Sequence, residues 1–247
     1  MRALIGVWRL LRLLPHIASG LWIVARRFKR CSPAERHGHI QAWSRGLLRI
    51  FGIELSVQGE VPSSIVGHLV VANHVSWLDI AAIHAVLPQV RFVSKADVKH
   101  WPVVGPLVDG AGTLFIERTS KRDAMRVVHQ TAAALKAGDA VAVFPEGTTG
   151  PGPELLPFHA NLLQAAVSVE APVLPVLLRW HEPGQRFSAA AQFVGDTTLA
   201  QSLWRVVTAR GLGVAVTVLP AEASAGQERR VLAQALALRL RDALASP

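Results

Sequence analysis

The sequence predicts an α/β domain with a largely parallel central sheet flanked by helices, preceded by an amphipathic N-terminal helix. Short apolar runs typical of buried strands recur from residue 53 onward and alternate with segments of helical periodicity. Strands that alternate with helices usually pair in parallel. A third observation, the basic and apolar character of the first fifty residues, predicts the N-terminal helix. Strand-like runs lie at 53–57, 69–72, 91–94, 113–116, 140–144, 173–178, 190–194 and 214–219, and helical patterns at 77–87, 123–137, 161–170, 198–209 and 227–244.

Length and composition favour one main domain. The chain has 247 residues, of which 51% are hydrophobic, and neither an internal repeat nor a linker divides it. We therefore predict a basic helical region at 1–52 and an α/β domain at 53–247. The single cysteine, Cys31, excludes an internal disulfide and fits a reducing compartment. It also offers no metal-ligand spacing, so no metal site is predicted.

The basic charge is concentrated at the N-terminus. Residues 1–50 carry ten Lys and Arg against one acidic residue, Glu35, whereas the rest of the chain carries sixteen of each sign. Arginines follow one side of the helical pattern and Leu, Val and Trp the other, which favours a helix lying on an anionic membrane surface over a nucleic-acid-binding arm. The uncharged run 13–25 is shorter than the ~20 residues that span a bilayer. The alternative is a terminal helix packed in the core.

A second helix is predicted to begin at a capping box. Ser32 and Glu35 stand three residues apart, and Pro33 occupies the first helical position. Apolar residues then recur at helical spacing up to Gly52, which can end the helix.

The stretch Asn73-His74-Val75-Ser76-Trp77-Leu78-Asp79 lies between a buried strand and a helical segment. His74 therefore leaves a strand end, and Asp79 follows about one helical turn later. An imidazole changes protonation near neutral pH and can act as a general base, while a fixed carboxylate selects its tautomer. In the structural alternative, Ser76 caps the helix and Asp79 only complements the helix dipole.

Three further stretches also surround buried runs. Gly112-Thr113-Leu114-Phe115-Ile116-Glu117-Arg118 places a guanidinium at a strand end, where it can clamp a phosphate, or else pair with Glu117 or Asp123 on the surface. Phe144-Pro145-Glu146-Gly147-Thr148-Thr149-Gly150 supplies a glycine for close backbone approach, two hydroxyls and a carboxylate. Ala171–Val176 sets two prolines around a short apolar strand and predicts a fixed wall.

In order and spacing, these stretches resemble the motifs of the glycerolipid acyltransferase family, whose bacterial members acylate lysophosphatidic acid. Asn73–Asp79 is similar to the block N-H-x-x-x-x-D, Gly112–Arg118 to G-x-x-F-I-x-R, Phe144–Thr148 to F-P-E-G-T, and Pro172–Pro175 to the proline block. Lys95 resembles a lysine often found between the first two blocks. The resemblance covers roughly residues 50–195.

The resemblance implies a role for each matching residue. His74 would be the general base and Asp79 its orienting partner. Arg118 would bind an acceptor phosphate, and the acceptor site would be shaped by Glu146, Gly147 and Thr148. The other positions expected at the substrate are Asn73, Lys95, Gly112, Phe115, Thr149 and Pro175.

The implied reaction is an O-acyl transfer. His74 would remove a proton from the free hydroxyl of a lysolipid as that oxygen attacks a fatty-acyl thioester of acyl carrier protein or coenzyme A. Neither a cofactor nor a metal is expected, because the acceptor hydroxyl is itself the nucleophile. The expected location is the cytoplasmic face of the inner membrane, as a peripheral or monotopic protein. A non-catalytic lipid-surface binding protein is the alternative class, and such a protein has no need of the His74–Asp79 pair.

The sequence departs from the family after Thr148. The family usually reads E-G-T-R-S, whereas this chain has Thr149 and Gly150, so a second arginine for phosphate is missing. A branch that acylates lyso-ornithine lipids, whose head carries no phosphate, resembles this Glu-Gly-Thr-Thr form. Arg118, which is intact in its motif, favours lysophosphatidic acid as the acceptor, and lyso-ornithine lipid is the alternative.

Overall fold

A computed structural model of the chain describes residues 1–116 and 121–246. Within these ranges seven strands form one sheet in the order β1-β7-β6-β2-β5-β3-β4. Neighbouring strands are parallel except β6 and β7, so the predicted largely parallel sheet is confirmed. The strands are β1 (Glu54–Gln58), β2 (Leu69–Ala72), β3 (Val90–Lys95), β4 (Leu114–Ile116), β5 (Ala140–Val143), β6 (Val173–His181) and β7 (Gly213–Val218).

Helices cover both faces of this sheet. One buried cluster joins one face to α1, α2, α3 and α7, and a second joins the opposite face to α5, α6 and α8. β2 and β5 are buried on both faces, which explains why their sequences are continuously apolar. The helices are α1 (Arg2–Trp22), α2 (Pro33–Phe51), α3 (Asp79–Val86), α4 (Val104–Gly110), α5 (Lys121–Lys136), α6 (Leu163–Val169), α7 (Leu199–Thr208) and α8 (Arg229–Ala245).

One predicted strand is wrong. Residues 190–194 form an irregular segment, because their backbone groups bond to loops instead of a neighbouring strand. The Ser188 hydroxyl accepts hydrogen bonds from the backbone N–H groups of Ala190 and Ala191, at 3.1 and 3.3 Å. The backbone N–H of Phe193 donates to the carbonyl of Val75 at 3.0 Å. The segment therefore supports the loop that carries His74.

The second helix begins and ends as predicted. The Glu35 carboxylate accepts the backbone N–H of Ser32 at 2.7 Å, and the Ser32 hydroxyl accepts the backbone N–H of Glu35 at 3.4 Å. Gly52 follows the last turn with φ of 67°, a left-handed conformation that favours glycine. α2 thereby leads directly into β1.

The N-terminal helix has one packed side and one exposed side. On the packed side, the Arg9 guanidinium donates to the carbonyls of Val207 and Ala209, at 2.9 and 2.8 Å, where α7 ends. His16 stacks on Trp43 of α2 with the ring centroids 4.8 Å apart. The opposite side exposes a stripe of large apolar side chains, here called the α1 stripe. It consists of Leu4, Val7, Trp8, Leu11, Leu14 and Trp22.

In the part of the chain that the structure describes, no helix is both long enough and apolar enough to cross a bilayer. After Trp22, α1 continues into a π-helical turn, Ile23–Arg27, which carries two arginines.

Candidate active site

The motif stretches meet at one edge of the sheet. β2, β5, β3 and β4 are consecutive, parallel neighbours, so their carboxyl ends lie side by side. His74 follows β2, Glu146 follows β5, and Lys95 ends β3. Arg118, predicted to bind the acceptor phosphate, lies outside the described residues. The topology thus brings together residues as far apart in the chain as His74 and Glu146, which are separated by 72 positions, at the edge where α/β proteins bind ligands.

His74 and Asp79 form the predicted pair. The imidazole Nδ1 lies 2.8 Å from Asp79 Oδ2, and the His74 side chain is 20% exposed while that of Asp79 is fully buried. Nδ1 therefore donates its hydrogen to the carboxylate, which leaves the lone pair on Nε2 to accept a proton. That is the tautomer a general base needs.

Asp79 is held by four donors. Besides His74, its Oδ2 accepts the backbone N–H groups of Val75 and Ser76, at 2.7 and 2.8 Å. Its Oδ1 accepts the indole N–H of Trp180 at 2.7 Å. These donors fix the orientation of the carboxylate, so Asp79 can hold the imidazole in place and stabilise its protonated form.

Ser76 is not the N-cap of α3. The cap position is Leu78, and the Ser76 hydroxyl instead accepts the Leu78 backbone N–H at 3.3 Å. Asp79 does accept the Ser76 N–H, so half of the predicted capping box is formed, in a turn that precedes the helix. The same carboxylate therefore bonds to both the local turn and the His74 imidazole.

Aromatic rings enclose one face of the imidazole. His74 stacks on Phe144 with the centroids 4.0 Å apart and the planes at 10°, and Phe144 stacks in turn on Phe92 at 5.7 Å. His84 meets Phe92 edge-on and lies within 3.0 Å of the Val90 carbonyl. Burial lowers the pKa of His84 to about 4, so this second histidine is neutral at physiological pH. The ring stack shields His74 from water on that side.

Glu146 holds the backbone of His74. Its Oε1 accepts the His74 backbone N–H at 2.8 Å, and its Oε2 accepts the Leu156 backbone N–H at 2.9 Å. The carboxyl is buried, and burial raises the pKa of Glu146, while the two backbone hydrogen bonds and His74 act in the opposite direction. In this geometry Glu146 shapes the site by positioning the His74 loop from the β5 side.

Residues 147–150, which follow Glu146, are held by hydrogen bonds to two neighbouring loops. The backbone N–H of Gly150 donates to the His74 carbonyl at 2.7 Å, and the Thr149 hydroxyl donates to the Phe193 carbonyl. Gly147 has φ of 71°, a conformation that side-chain-bearing residues rarely adopt. Gly147 and Thr148 are exposed at the strand edge, where a ligand can reach them.

Two predicted substrate contacts are buried instead. Asn73 exchanges two hydrogen bonds with the backbone of Leu178, at 2.9 and 2.7 Å, and its side chain is buried. It links the end of β2 to β6 and does not face a ligand. Pro175 lies within β6, opposite Val71, and its carbonyl accepts the Leu219 N–H at 3.0 Å. Its ring is buried within β6, and its predicted part in a wall of the site stays a prediction.

The β3–β4 side contributes a cation and a turn. Lys95 is exposed at the end of β3, opposite Ile116. Phe115 carries the Lys99 ammonium 5.5 Å from its ring centre. Gly112, with φ of 77°, forms a turn whose carbonyl accepts the Arg91 guanidinium N–H at 2.7 Å. Lys95 thus offers an exposed ammonium at this edge, where an anionic ligand can reach it.

Similarity to known proteins agrees with this geometry. Residues 54–179 match the model of the Acyltransferase family. The chain is 38% identical to the 1-acyl-sn-glycerol-3-phosphate acyltransferase of Neisseria gonorrhoeae over 201 residues, which are 81% of this chain and 78% of the relative. It is 36% identical to the lyso-ornithine lipid O-acyltransferase of Pseudomonas aeruginosa over 231 residues, 90% of this chain and 87% of the relative.

A solved structure shares the fold. The crystal structure of the 1-acyl-sn-glycerophosphate acyltransferase from Thermotoga maritima matches with a TM-score of 0.73 at 20% identity, covering 99% of this chain and 96% of that one. The family model covers more than half of the chain, and the sequence relatives cover more than three quarters of it. The chain therefore belongs to the Acyltransferase family.

Proposed function

We propose that this acyltransferase uses His74 as the general base for esterification of a lysolipid hydroxyl. His74 Nε2 takes the hydroxyl proton while the oxygen attacks the thioester carbonyl carbon. The C–S bond then breaks, and the imidazolium returns the proton to the departing thiolate, so an ester and a thiol are formed. The observation that carries the proposal is the hydrogen bond from Nδ1 to the buried Asp79, because it leaves Nε2 as the base. The donor is a fatty-acyl thioester of acyl carrier protein or coenzyme A.

We propose lysophosphatidic acid as the acceptor. Lys95 supplies an exposed cation at the site edge, and Arg118 follows β4 in the sequence. The Neisseria relative is named for 1-acyl-sn-glycerol-3-phosphate. Lyso-ornithine lipid is the second candidate, because Thr149 replaces the family's second arginine and the Pseudomonas relative is named for that acceptor.

The Thr149→Arg variant tests the acceptor. If a phosphate binds beside Gly147, the added guanidinium should lower KM for lysophosphatidic acid roughly ten- to hundredfold, the equivalent of about 1.5–3 kcal/mol for a hydrogen bond to a charged group. It should raise KM for lyso-ornithine lipid, whose head carries an ammonium. Initial rates with purified protein, each acceptor, and either labelled acyl-carrier-protein or acyl-CoA donor measure both effects.

Ser64→Arg is the charge-matched control. Ser64 is exposed in the loop before β2, at the opposite edge of the sheet, so its substitution should leave both KM values unchanged. A wild type that prefers lyso-ornithine lipid, together with a Thr149→Arg variant that loses activity on every phosphate-bearing acceptor, would assign the ornithine lipid instead.

We further propose that the enzyme works at the cytoplasmic face of the inner membrane, as a peripheral or monotopic protein bound through the α1 stripe. Exposed apolar side chains on one side of a basic helix are typical of interfacial binding. Two tryptophans of the stripe lie under arginines, Trp8 under Arg12 at 4.5 Å and Trp22 under Arg27 at 5.7 Å. Such pairs place a cation at the depth where lipid head groups carry negative charge.

Replacing three stripe residues by serine should release the enzyme from vesicles. Trp8→Ser/Leu11→Ser/Leu14→Ser removes side chains that are 55–65% exposed, and each loses about 1.5–3 kcal/mol of possible burial, so binding should fall by at least a hundredfold. Flotation with vesicles that contain phosphatidylglycerol measures it. Added salt should weaken wild-type binding to these vesicles.

Val231→Ser/Leu238→Ser on α8 is the matched control. These side chains are 55% and 54% exposed but lie outside the α1 stripe, so the double variant should float like the wild type. Equal flotation of the stripe variant and the control would refute the stripe as the binding surface.

A further inference from the structure

Trp180 is a buried residue that contacts Asp79 from β6, the neighbour of β2 on the side away from β5. It lies in β6, is 2% exposed, and directs its indole N–H to Asp79 Oδ1 at 2.7 Å. The two residues are 101 positions apart in the chain, and Trp180 lies one residue beyond the segment that matches the family model. A buried indole N–H needs an acceptor, and here the acceptor is the carboxylate that holds the general base.

The indole divides the donors of Asp79 between its two oxygens. Oδ2 already receives His74 and two backbone N–H groups, whereas Oδ1 receives Trp180. Asp79 is fully buried, so without the indole Oδ1 would carry uncompensated charge with no water to replace the donor. The carboxylate would also lose the contact that fixes its rotation relative to the imidazole.

The ionisable groups near the His74–Asp79 pair are engaged with other partners or lie on another face of the sheet. His74 is bonded to Asp79, and Glu146 interacts electrostatically with both from the β5 side. On α3, the neutral His84 bonds to Val90. Arg179 and His181, which flank Trp180 on β6, lie on the opposite face of the sheet because side chains alternate along a strand. Arg179 accordingly donates to the Ser246 carbonyl, beyond the end of α8.

We propose that Trp180 is a positioning residue for the acyl-transfer reaction. Its indole fixes the orientation of Asp79 and offsets part of the negative charge that Asp79 presents to His74. Trp180 acts only through Asp79 and does not touch substrate, so it affects the chemical step and not substrate binding. This inference rests on the proposed function, in which His74 is the base.

Replacing the indole N–H alone gives the sharpest test. Site-specific incorporation of benzothienylalanine at position 180 keeps the bicyclic ring and replaces the N–H by sulfur. We expect kcat to fall on the order of tenfold, with KM for both substrates unchanged, because Asp79 loses the hydrogen bond that fixes its orientation toward His74. The acidic limb of the pH profile of kcat/KM should move to higher pH, because a less compensated carboxylate favours the protonated imidazole.

Two variants separate this role from packing. Trp180→Phe also lacks the N–H and should reproduce the shift of the acidic limb, even where the smaller ring lowers the melting temperature. Trp43→Phe removes a different indole hydrogen bond, to the His16 carbonyl at 3.1 Å, and should leave the acidic limb in place. If Trp180 had only a structural role, Trp180→Phe would lower the melting temperature without moving the acidic limb.

The outcomes distinguish the inference from the proposed function. Wild-type kcat and an unmoved acidic limb in the benzothienylalanine protein, with His74→Ala inactive, would overturn the role of Trp180 alone. An active His74→Ala variant would overturn the proposed function itself. A raised KM in the benzothienylalanine protein would place Trp180 in substrate binding and also contradict the inference.

Discussion

The His74→Ala variant is expected to lose acyl transfer by about 10²–10⁴-fold, the contribution of a general base. The fold should survive, because backbone hydrogen bonds anchor the loop that carries His74, and Asp79 keeps its other three donors. The His74 N–H donates to Glu146 and its carbonyl accepts from Gly150, and alanine keeps both. The measurement is kcat with a labelled acyl thioester, alongside circular dichroism and the melting temperature.

A histidine outside the site controls for unspecific effects. His129 is exposed on α5, so His129→Ala should retain wild-type activity. Near-normal turnover by His74→Ala would rule out the general-base mechanism.

The Asp79→Asn variant is expected to lose about 10- to 10²-fold in kcat, less than His74→Ala. An asparagine can place its oxygen in only one of the two carboxylate positions. The Oδ2 position faces three donors and the Oδ1 position faces one, so the oxygen should keep the former and turn its amide toward Trp180. His74 then keeps its tautomer, and only the charge that stabilises the imidazolium is lost.

This orientation has a second measurable effect. The amide nitrogen and the indole nitrogen would both be donors, which costs about 1–3 kcal/mol for a buried unsatisfied group. Urea unfolding should show that loss, and Asp79→Asn/Trp180→Phe should recover part of it. If Asp79→Asn were as inactive as His74→Ala, the amide would instead face His74 and reverse the tautomer.

The sequence predicts correctly those elements that depend on residues close together in the chain. The capping box at Ser32 and the left-handed Gly52 needed only residues within one turn, and both are confirmed. The strand runs 69–72 and 140–144 were recognisable because burial on both faces makes a strand continuously apolar. The His74–Asp79 pair, five residues apart, belongs to the same class.

The remaining features depend on contacts between distant segments. Nothing near 190–194 reveals that Phe193 will bond to Val75 and Thr149 instead of a strand, so its apolar pattern was misread. β7 is antiparallel to β6 because the chain re-enters the sheet at the end where β6 finishes. Gly213, the first residue of β7, therefore pairs with His181, the last residue of β6. The roles of Asn73 and Glu146 depend on hydrogen bonds to residues 105 and 72 positions away, Leu178 and His74.

The position of β6 also sets the order in which activity can appear during folding. β6 lies between β2 and β7 in the sheet. Asn73 and Asp79 both form hydrogen bonds to residues of β6, Leu178 and Trp180, which are 105 and 101 positions away. A nascent chain that has emerged only as far as α6 already contains His74, Asp79 and Glu146, yet Asp79 Oδ1 lacks its Trp180 donor and β2 lacks its neighbour β6. Closing so long a segment is slow compared with forming local helices and turns. We therefore expect catalytic competence to appear late in folding, and we expect a chain that stops before β6 to carry His74 and Asp79 without the hydrogen bonds that orient them.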